Sequence, residues 1–231
     1  MEVILSLETS TPICSIALHQ NGVMIGEKSL DVPGAHSEKL MGMIDSLLDE
    51  CQITIRQINA VAVSEGPGSY TGLRIGVSVA KGLAFAGDIP LISVRTLKAL
   101  SYGAKSLINN KETGLIVAML DARRMEVYRE VFDQDLNSVR KLDSEVIDEE
   151  SFSDLLEKGK VYFVGDAVEK VSNVIHHANA VFLDIKISAE YVGVLAFDKF
   201  QKGEFADLAY FVPNYLKEFK ALQSKKNPLL I

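Results

Sequence analysis

The sequence has little cysteine and no long apolar run. Two cysteines, Cys14 and Cys51, are too few for a disulfide framework or a zinc site. Both lie in apolar patterns, which predicts core positions in a reducing compartment. No stretch approaches the roughly 20 apolar residues of a membrane span, and the first residues, MEVILSLETS, do not resemble a signal peptide. We therefore expect a cytoplasmic protein with no membrane contact.

Positive charge is also scarce. The formal net charge is −7, from 24 Lys and Arg against 31 Asp and Glu, which argues against a broad nucleic-acid-binding face. The basic residues that do cluster lie near the C-terminus, at Lys217, Lys220, Lys225 and Lys226. Such a tail is usually solvated, and assistance to an RNA-handling partner is the alternative. Apolar residues make up 48% of the 231-residue chain, which is ordinary for one globular domain or two small lobes.

The apolar pattern predicts two similar α/β halves. The first half reads as three strands, a helix over 35–51, a buried strand, a helix over 69–87, a short strand and a third helix. The second half starts again with two strands around a polar turn, and KVYFVGDAVEKVSNVI later repeats the theme of strand, glycine turn and helix. An acidic residue ends the first strand of each half, Glu8 and Asp121, at an offset of 113 residues. Repetition in the same order indicates a duplicated lobe.

A glycine-rich segment, SEGPGSYTGLRIG, follows the predicted buried strand. A P-loop needs G-x-x-x-x-G-K-[ST], but leucine and arginine follow Gly72 here. The dinucleotide fingerprint G-x-G-x-x-G fits better, yet the next strand does not end in the acidic residue that this fingerprint requires. The simpler interpretation is a turn that starts a helix, with Ser69 or Thr71 capping its free amides.

The helix that this segment starts is unusually apolar. Beyond its first turn the only polar side chains are Arg74, Ser78 and Lys81. A surface helix is ordinarily about half polar, so both sides of this one should be covered, one of them by its own sheet. The second cover is either intramolecular or a partner chain. The preceding helix carries Met41 and Met43 outside its apolar stripe, and methionines suit an adaptable binding face.

No catalytic or metal-binding constellation is evident. The four histidines lack metal-ligand spacing, and neither a G-x-S-x-G elbow nor a cysteine-nucleophile signature occurs. Glu8 is followed by hydroxyl residues at a strand end, which in a two-lobed fold faces the cleft; a polar hairpin turn is the alternative. Asp121 occupies the matching place in the second half. The candidate nucleotide contacts are therefore Glu8, Thr9, Ser10 and Asp121.

Several segments together resemble the bacterial TsaB (YeaZ) family. They are LETST, HSEKL, GPGSYTGLRIGVSVAKGLAF, LDARRMEVY and the late VPNYLK. They span most of the chain, and GPGSYTGLRIG is highly specific. The resemblance implies a duplicated, actin-like (ASKHA, ribonuclease H-like) two-lobe α/β fold with a shortened second lobe. We expect lobes at 1–101 and 102–231, with the alternative that the C-terminal segment packs back on the first lobe.

The resemblance also implies a role in N6-threonylcarbamoyladenosine (t6A) synthesis at position 37 of tRNAs that read ANN codons. TsaB proteins are the non-catalytic partner of TsaD, which transfers threonylcarbamoyl from its adenylate to the tRNA base; the ATPase TsaE joins them, and tRNA is met through the complex. TsaD-like proteins carry the metal-binding HLEGH where this chain has TLKAL, so Thr96 and Leu100 replace two histidines. We thus expect no catalytic residue, no metal and no intrinsic cofactor, and leave open ATP or ADP at the subunit junction.

In the family, the two helices of the first lobe pair with the same helices of TsaD, or of a second TsaB copy when TsaD is absent. The expected partner-binding residues are Leu40, Met43, Ile44, Leu47, Leu73, Arg74, Val77 and Lys81. An independent actin-like ATPase or phosphotransferase that uses the interlobe cleft is the alternative function. The two arginines of LDARRMEVY argue against it, because small residues would be needed there to admit phosphates. A third hypothesis, a peptidase, has no nucleophile and base to support it.

Overall fold

The computed structural model describes residues 1–32, 34–109 and 112–216, and this part of the chain forms two five-stranded sheets. The first sheet has the order β3-β2-β1-β4-β5 and comprises β1 (Val3–Glu8), β2 (Ile13–Gln20), β3 (Val23–Asp31), β4 (Ala60–Gly66) and β5 (Leu91–Arg95). The second has the order β10-β9-β6-β7-β8 and comprises β6 (Leu115–Asp121), β7 (Glu126–Phe132), β8 (Ser138–Val146), β9 (Val161–Val164) and β10 (Ala180–Leu183). The predicted basic tail, Lys217 to Lys226, lies outside the described residues.

Six α-helices connect these strands within the described ranges. They are α1 (His36–Glu50), α2 (Tyr70–Gly87), α3 (Thr96–Ala104), α4 (Ser153–Leu156), α5 (Val168–Ser172) and α6 (Ala189–Gln201). The three helices predicted in the first half are thus confirmed, whereas the sequence reasoning did not identify α4 or α6. None of the helices in the described residues has the length and apolarity that crossing a membrane would need.

The two sheets repeat one topology, which confirms the predicted duplication. In each, three antiparallel strands form a meander, and two further strands run parallel to its first strand. Glu8 pairs with Ser15 at the end of β1, and Asp121 pairs with Val127 at the end of β6. The second lobe is shortened at its helices: α4 and α5 have 4 and 5 residues, whereas α1 and α2 have 15 and 18.

The helices form an outer layer and a central layer. The apolar stripe of α1 and the buried face of α2 pack on the first sheet in one core cluster. Between the sheets, α6 contacts β1 and β2 of the first lobe while α3 contacts β6 and β7 of the second, and the two helices touch each other. A single apolar core therefore joins the lobes. The lobe boundary expected after residue 101 falls within α3, which packs on the second sheet. The division at residue 101 stays a prediction.

The last described residues return to the first lobe. The amide of Ala206 donates to the carbonyl of Leu91 at 2.8 Å, and the amide of Asn214 donates to the carbonyl of Glu65 at 2.7 Å. Lys81 Nζ donates to the carbonyls of Ala209 and Phe211 at 3.1 and 3.0 Å. This return segment, residues 206–215, therefore lies along α2 and the free edge of β5.

His19 is the one histidine in the central layer of the described structure. It lies on β2 with no exposed surface, and a Cβ at Gly193 of α6 would come within 3.0 Å of its imidazole ring. Glycine at 193 therefore lets α6 approach the ring closely. Burial lowers the pKa of His19 from 6.5 to about 4.

We expect the contribution of His19 to the stability of the chain to fall as the pH falls from 6.5 towards 4. In that range the unfolded chain, whose His19 has a pKa of 6.5, binds a proton that the folded chain, with a pKa of about 4, does not bind. The contribution of His19 to the free energy of unfolding therefore decreases as the pH falls. The maximal loss is about 2–3 kcal/mol in the free energy of unfolding. Urea unfolding at several pH values measures this, and the uncharged variant His19→Gln should remove this part of the pH dependence. An unchanged slope in the variant would assign the acid loss to other groups.

Candidate functional site

The glycine-rich segment packs around the turn between β1 and β2. A Cβ added at Gly68 would come within 3.0 Å of the Ser10 carbonyl, and at Gly72 or Gly76 within 3.0 Å of Thr9. The amide of Ser69 donates to the Ser10 carbonyl at 2.6 Å. The glycines thus make room for the chain's own β1–β2 turn, at the place where a phosphate would lie in a P-loop.

The predicted helix start is confirmed. Ser69 is the N-cap of α2, and its hydroxyl accepts a hydrogen bond from the amide of Gly72 at 3.3 Å. The segment therefore supplies a turn, a cap and a close approach between α2 and β1. Thr71, the other candidate cap, is instead exposed on the first turn of the helix.

Three of the four candidate nucleotide contacts are buried. Glu8 and Thr9 have no exposed surface, and Ser10 has 2%. The Glu8 carboxylate accepts hydrogen bonds from the Ser10 amide at 2.6 Å and from the Ser64 hydroxyl. Burial raises the pKa of Glu8 above its usual value, although these hydrogen bonds oppose the shift. In the isolated chain, therefore, this turn offers no exposed side chain at 8 to 10, and the nucleotide contact stays a prediction.

Asp121, the fourth candidate, is exposed at the end of β6. Its carboxylate accepts a hydrogen bond from Lys170 Nζ, and its amide donates to the Asp166 carboxylate at 2.7 Å. Among the described residues Asp121 shares no hydrogen-bond partner with Glu8, and their common contact with a nucleotide stays a prediction.

A cleft of about 530 Å³ separates the two lobes near these strand ends. Its charged lining residues are Asp31, Asp166, Glu169 and Asp184 with a single cation, Lys186. Lys186 is itself paired with Asp31 at 2.8 Å. An excess of carboxylates makes this cleft unfavourable for a bare polyphosphate.

The positions of the metal-binding histidines of TsaD-like proteins are filled differently here. Thr96 is buried, and its hydroxyl accepts a hydrogen bond from the amide of Gly66 at 3.1 Å. Leu100 is buried and lines the interlobe cleft. Neither side chain suits a metal. In residues 1–32, 34–109 and 112–216, no group of three His, Cys, Asp or Glu is placed to hold an ion.

Five of the eight expected partner-binding side chains lie in the core of the first lobe. They are at most 5% exposed: Leu40, Ile44, Leu47, Leu73 and Val77. All of them except Leu73 belong to the apolar cluster between the outer helices and the first sheet. Their apolar periodicity reflects this intramolecular packing, so they cannot contact a partner directly while the lobe is folded. The structure thus places these five side chains inside the lobe, and partner binding by the two helices and their side chains stays a prediction.

The other three expected residues have different surroundings. Met43 is half-buried in a groove between α1 and β3. Arg74 is exposed, and its guanidinium lies over the Tyr70 ring, 5.3 Å from the centroid, with a hydrogen bond to the Tyr70 hydroxyl at 3.1 Å. Lys81 is half-buried, and its ammonium group holds the return segment. The second cover of α2 that its sequence predicted is thus in part intramolecular.

The outward surface of the two helices remains uncovered in the isolated chain. We call it the α1–α2 face and define it by exposed and half-buried residues that the core does not enclose: Met41, Gly42, Thr71, Arg74, Ile75, Ser78, Val79, Gly82 and Phe85. Phe85 is 77% exposed and Met41 46%. The face is therefore largely apolar, and the side chains near its centre are small. Of the eight residues expected from the sequence, only Arg74 belongs to this face, because apolar periodicity marks mainly the side of each helix that enters the core.

Two glycines on the α1–α2 face have no structural explanation within the chain. Gly42 and Gly82 lie inside helices with negative φ, and a Cβ added to either would meet nothing within 4 Å. A glycine inside a helix is about 1 kcal/mol less favourable than alanine. At Gly72 and Gly76 the close approach of Thr9 explains the residue, whereas no contact among the described residues explains Gly42 or Gly82.

Two duplicated sheets of this topology, joined by a central pair of helices, define the actin-like class of proteins. Comparison with known proteins identifies the family within this class. The family model described as TsaD, tRNA N6-adenosine threonylcarbamoyltransferase, matches residues 31–226. The chain is 31% identical over 233 residues to the tRNA threonylcarbamoyladenosine biosynthesis protein TsaB of Bacillus subtilis, covering 96% of this chain and 99% of that protein.

Two further relatives agree. The TsaB protein of Escherichia coli is 36% identical over 136 residues, a match that spans 59% of this chain and 57% of that protein. The solved structure of YeaZ from Pseudomonas aeruginosa superposes with a TM-score of 0.78 at 28% identity, covering 94% of this chain and 100% of that one. The chain belongs to the TsaB (YeaZ) family.

Proposed function

We propose that this chain is a non-catalytic scaffold subunit that supports TsaD in t6A modification of tRNAs reading ANN codons. Its relatives are named for the biosynthesis of this nucleoside. A non-enzymatic role is supported by Thr96 and Leu100, which stand where TsaD-like proteins bind a metal. In this account the chain works in the cytoplasm, where it meets tRNA and TsaE through the complex.

The observation that carries the proposal is the pair of unexplained glycines on the α1–α2 face. Gly42 and Gly82 leave the centre of the face low, and half-buried Ile75 and Val79 with exposed Phe85 supply apolar area around Gly82. Such a surface suits two more helices packed at close range, as in a four-helix interface. TsaD is the proposed occupant, and a second copy of the chain takes its place when TsaD is absent.

We further propose that ATP or ADP, where it binds, lies at the subunit junction and not in the turn between β1 and β2. Glu8, Thr9 and Ser10 are enclosed by α2 and β4, so a nucleotide would meet the exposed Pro12 at the cleft before it met them. The acidic cleft also disfavours the alternative of an independent ATPase. Steady ATP turnover by the purified chain alone would support that alternative.

A reconstituted modification assay tests the proposed function. Unmodified tRNA, threonylcarbamoyl adenylate, TsaD and TsaE of the same organism are combined with and without this chain, and t6A is measured by nucleoside mass spectrometry. We expect t6A to form at least about tenfold faster with the chain, and not at all when TsaD is left out. Modification by the chain without TsaD, or an equal rate without the chain, would contradict a scaffold role.

A further inference from the structure

The hairpin tip between β6 and β7 carries two consecutive arginines in an unfavourable backbone conformation. Arg123 has φ 72° and Arg124 has φ 53°, both in the left-handed region. Hairpin tips in this region normally use Asn-Gly or Asp-Gly, since glycine has no Cβ to clash there and the short polar side chains of Asn and Asp form local hydrogen bonds. The local conformation therefore does not explain the arginines.

Another hairpin of the same chain provides an internal comparison. The tip between β2 and β3 has Asn21 at φ 51° and Gly22 at φ 80°, the residue types that favour this region. In this two-residue connection Asn-Gly occupies the left-handed positions, whereas in the four-residue connection between β6 and β7 Arg123 and Arg124 occupy them. A residue pair kept against local preference indicates that its side chains have a use.

The arginine tip is held rigidly from below. The amide of Arg123 donates to the Asp121 carboxylate at 2.7 Å, and Lys170 Nζ donates to the carbonyls of Arg124 and Glu126 at 3.0 and 2.6 Å. Lys170 also pairs with the Asp121 carboxylate, so the nearest acid is already neutralised. The tip is therefore presented in one conformation before any ligand arrives.

The two guanidinium groups are themselves available. Three other arginines have carboxylate partners, Arg95 with Glu130, Arg129 with Glu145 and Arg140 with Asp154. Within the described part of the chain, no ion pair or side-chain hydrogen bond engages Arg123 or Arg124, and both residues are exposed. Two adjacent guanidinium forks match neighbouring phosphate oxygens by bidentate hydrogen bonds.

We propose that the Arg123–Arg124 tip is a phosphate-contact site that binds the phosphodiester backbone of RNA. The tip follows Leu120, which lines the interlobe cleft, but neither arginine belongs to that lining, and both are exposed. Exposed arginines are typical of contacts to a nucleic-acid backbone, whereas a nucleotide needs a concave pocket. The acid-rich cleft beside the tip also keeps a polyphosphate outside. The choice of RNA as ligand rests on the proposed function in tRNA modification.

The test replaces the tip by the Asn-Gly pair that the chain already uses elsewhere. In the full chain, Arg123→Asn with Arg124→Gly should fold with an unchanged or higher Tm, because both new residues suit the left-handed region. We measure binding of an unmodified tRNA transcript over a range of salt concentrations, for the chain alone and for its complex with TsaD. We expect the affinity for tRNA to fall about tenfold, since two phosphate contacts are removed. The slope of the logarithm of the binding constant against the logarithm of the salt concentration should decrease in magnitude by about 1–2.

A second double variant controls for the loss of two positive charges. Arg56→Asn with Lys158→Asn removes two exposed cations elsewhere and should leave tRNA binding within about twofold. Unchanged tRNA affinity and slope in the tip variant overturn the proposal, as does an equal loss in the control. A loss of ATP binding with tRNA binding intact overturns the assignment to RNA. Co-purification with TsaD tests binding at the α1–α2 face and should be normal for the tip variant. The proposals of TsaD binding and of RNA binding can therefore fail separately.

Discussion

Replacement of Gly76 by alanine is expected to lower the free energy of unfolding by about 2–3 kcal/mol, which corresponds to a drop in Tm of roughly 5–10 °C. The new methyl group would come within 3.0 Å of the Thr9 hydroxyl oxygen and meet its Cβ at 3.2 Å. Thr9 is β-branched and fully buried, so its side chain cannot rotate to another rotamer to avoid the new methyl group. The collision therefore separates α2 from β1, and thermal or urea unfolding measures the loss.

A second-site substitution tests whether this contact is the cause. The Thr9 hydroxyl is buried and has no hydrogen-bond partner among the described residues, so Thr9→Ala alone should cost little. Combined with Gly76→Ala, it should restore more than half of the lost stability. Gly72→Ala offers the contrast, because it meets the Thr9 carbonyl and no side-chain change relieves a backbone collision. Additive losses in the Gly76 and Thr9 double variant would contradict the packing described here.

The substitution Gly82→Arg is expected to weaken binding to TsaD by at least about 100-fold while the chain stays folded. A side chain at position 82 points into open space in the isolated chain, and arginine favours a helix over glycine by about 0.8 kcal/mol. In a closely packed helix interface the same side chain would hold the partner away and bury an unpaired charge. Co-purification with TsaD measures the loss. Gly42→Arg should act in the same way on α1.

Matched variants separate this effect from a general effect of arginine. Gly159 also has open space around an added Cβ, but it lies in the second lobe, so Gly159→Arg should bind TsaD as the wild type does. Gly82→Ala should raise the free energy of unfolding by about 1 kcal/mol. Charged substitutions at Leu47 or Val77 are unsuitable for this purpose, because these side chains are 1% and 5% exposed and would unfold the lobe. Normal TsaD binding by both Gly82→Arg and Gly42→Arg would remove the helix pair from the interface.

The architecture was largely predictable from the sequence because its signals are local and repeated. The alternation in β1, β2, β6 and β7, the capped glycine turn before α2 and the acid at each first strand end all reappear in the structure. The C-terminal helix α6 was not predicted, because its role depends on tertiary contacts. Its residues Val192, Gly193 and Ala196 pack against the sheet of the first lobe. Sequence periodicity does not show which sheet a helix will face.

The sequence singles out the two helices of the proposed interface but does not show which of their side chains the core encloses. Apolar residues at helical spacing mark the side that enters the core, and in α2 the opposite side is nearly as apolar. Leu73 and Val77 were therefore taken for contacts although they are core residues. The informative residues were glycines, but Gly76 and Gly82 look alike in a sequence. Only the position of Thr9 shows that one is required by the fold and the other is not.

Photo-crosslinking from Ser78 tests the central claim most directly. Ser78 is exposed in the middle of α2, and a photoreactive amino acid there samples whatever packs on the α1–α2 face. The same amino acid at Lys158, exposed in the second lobe, is the matched control. With purified TsaD the account predicts a covalent adduct from position 78 and none from position 158. An adduct from position 158 with none from position 78 would contradict it.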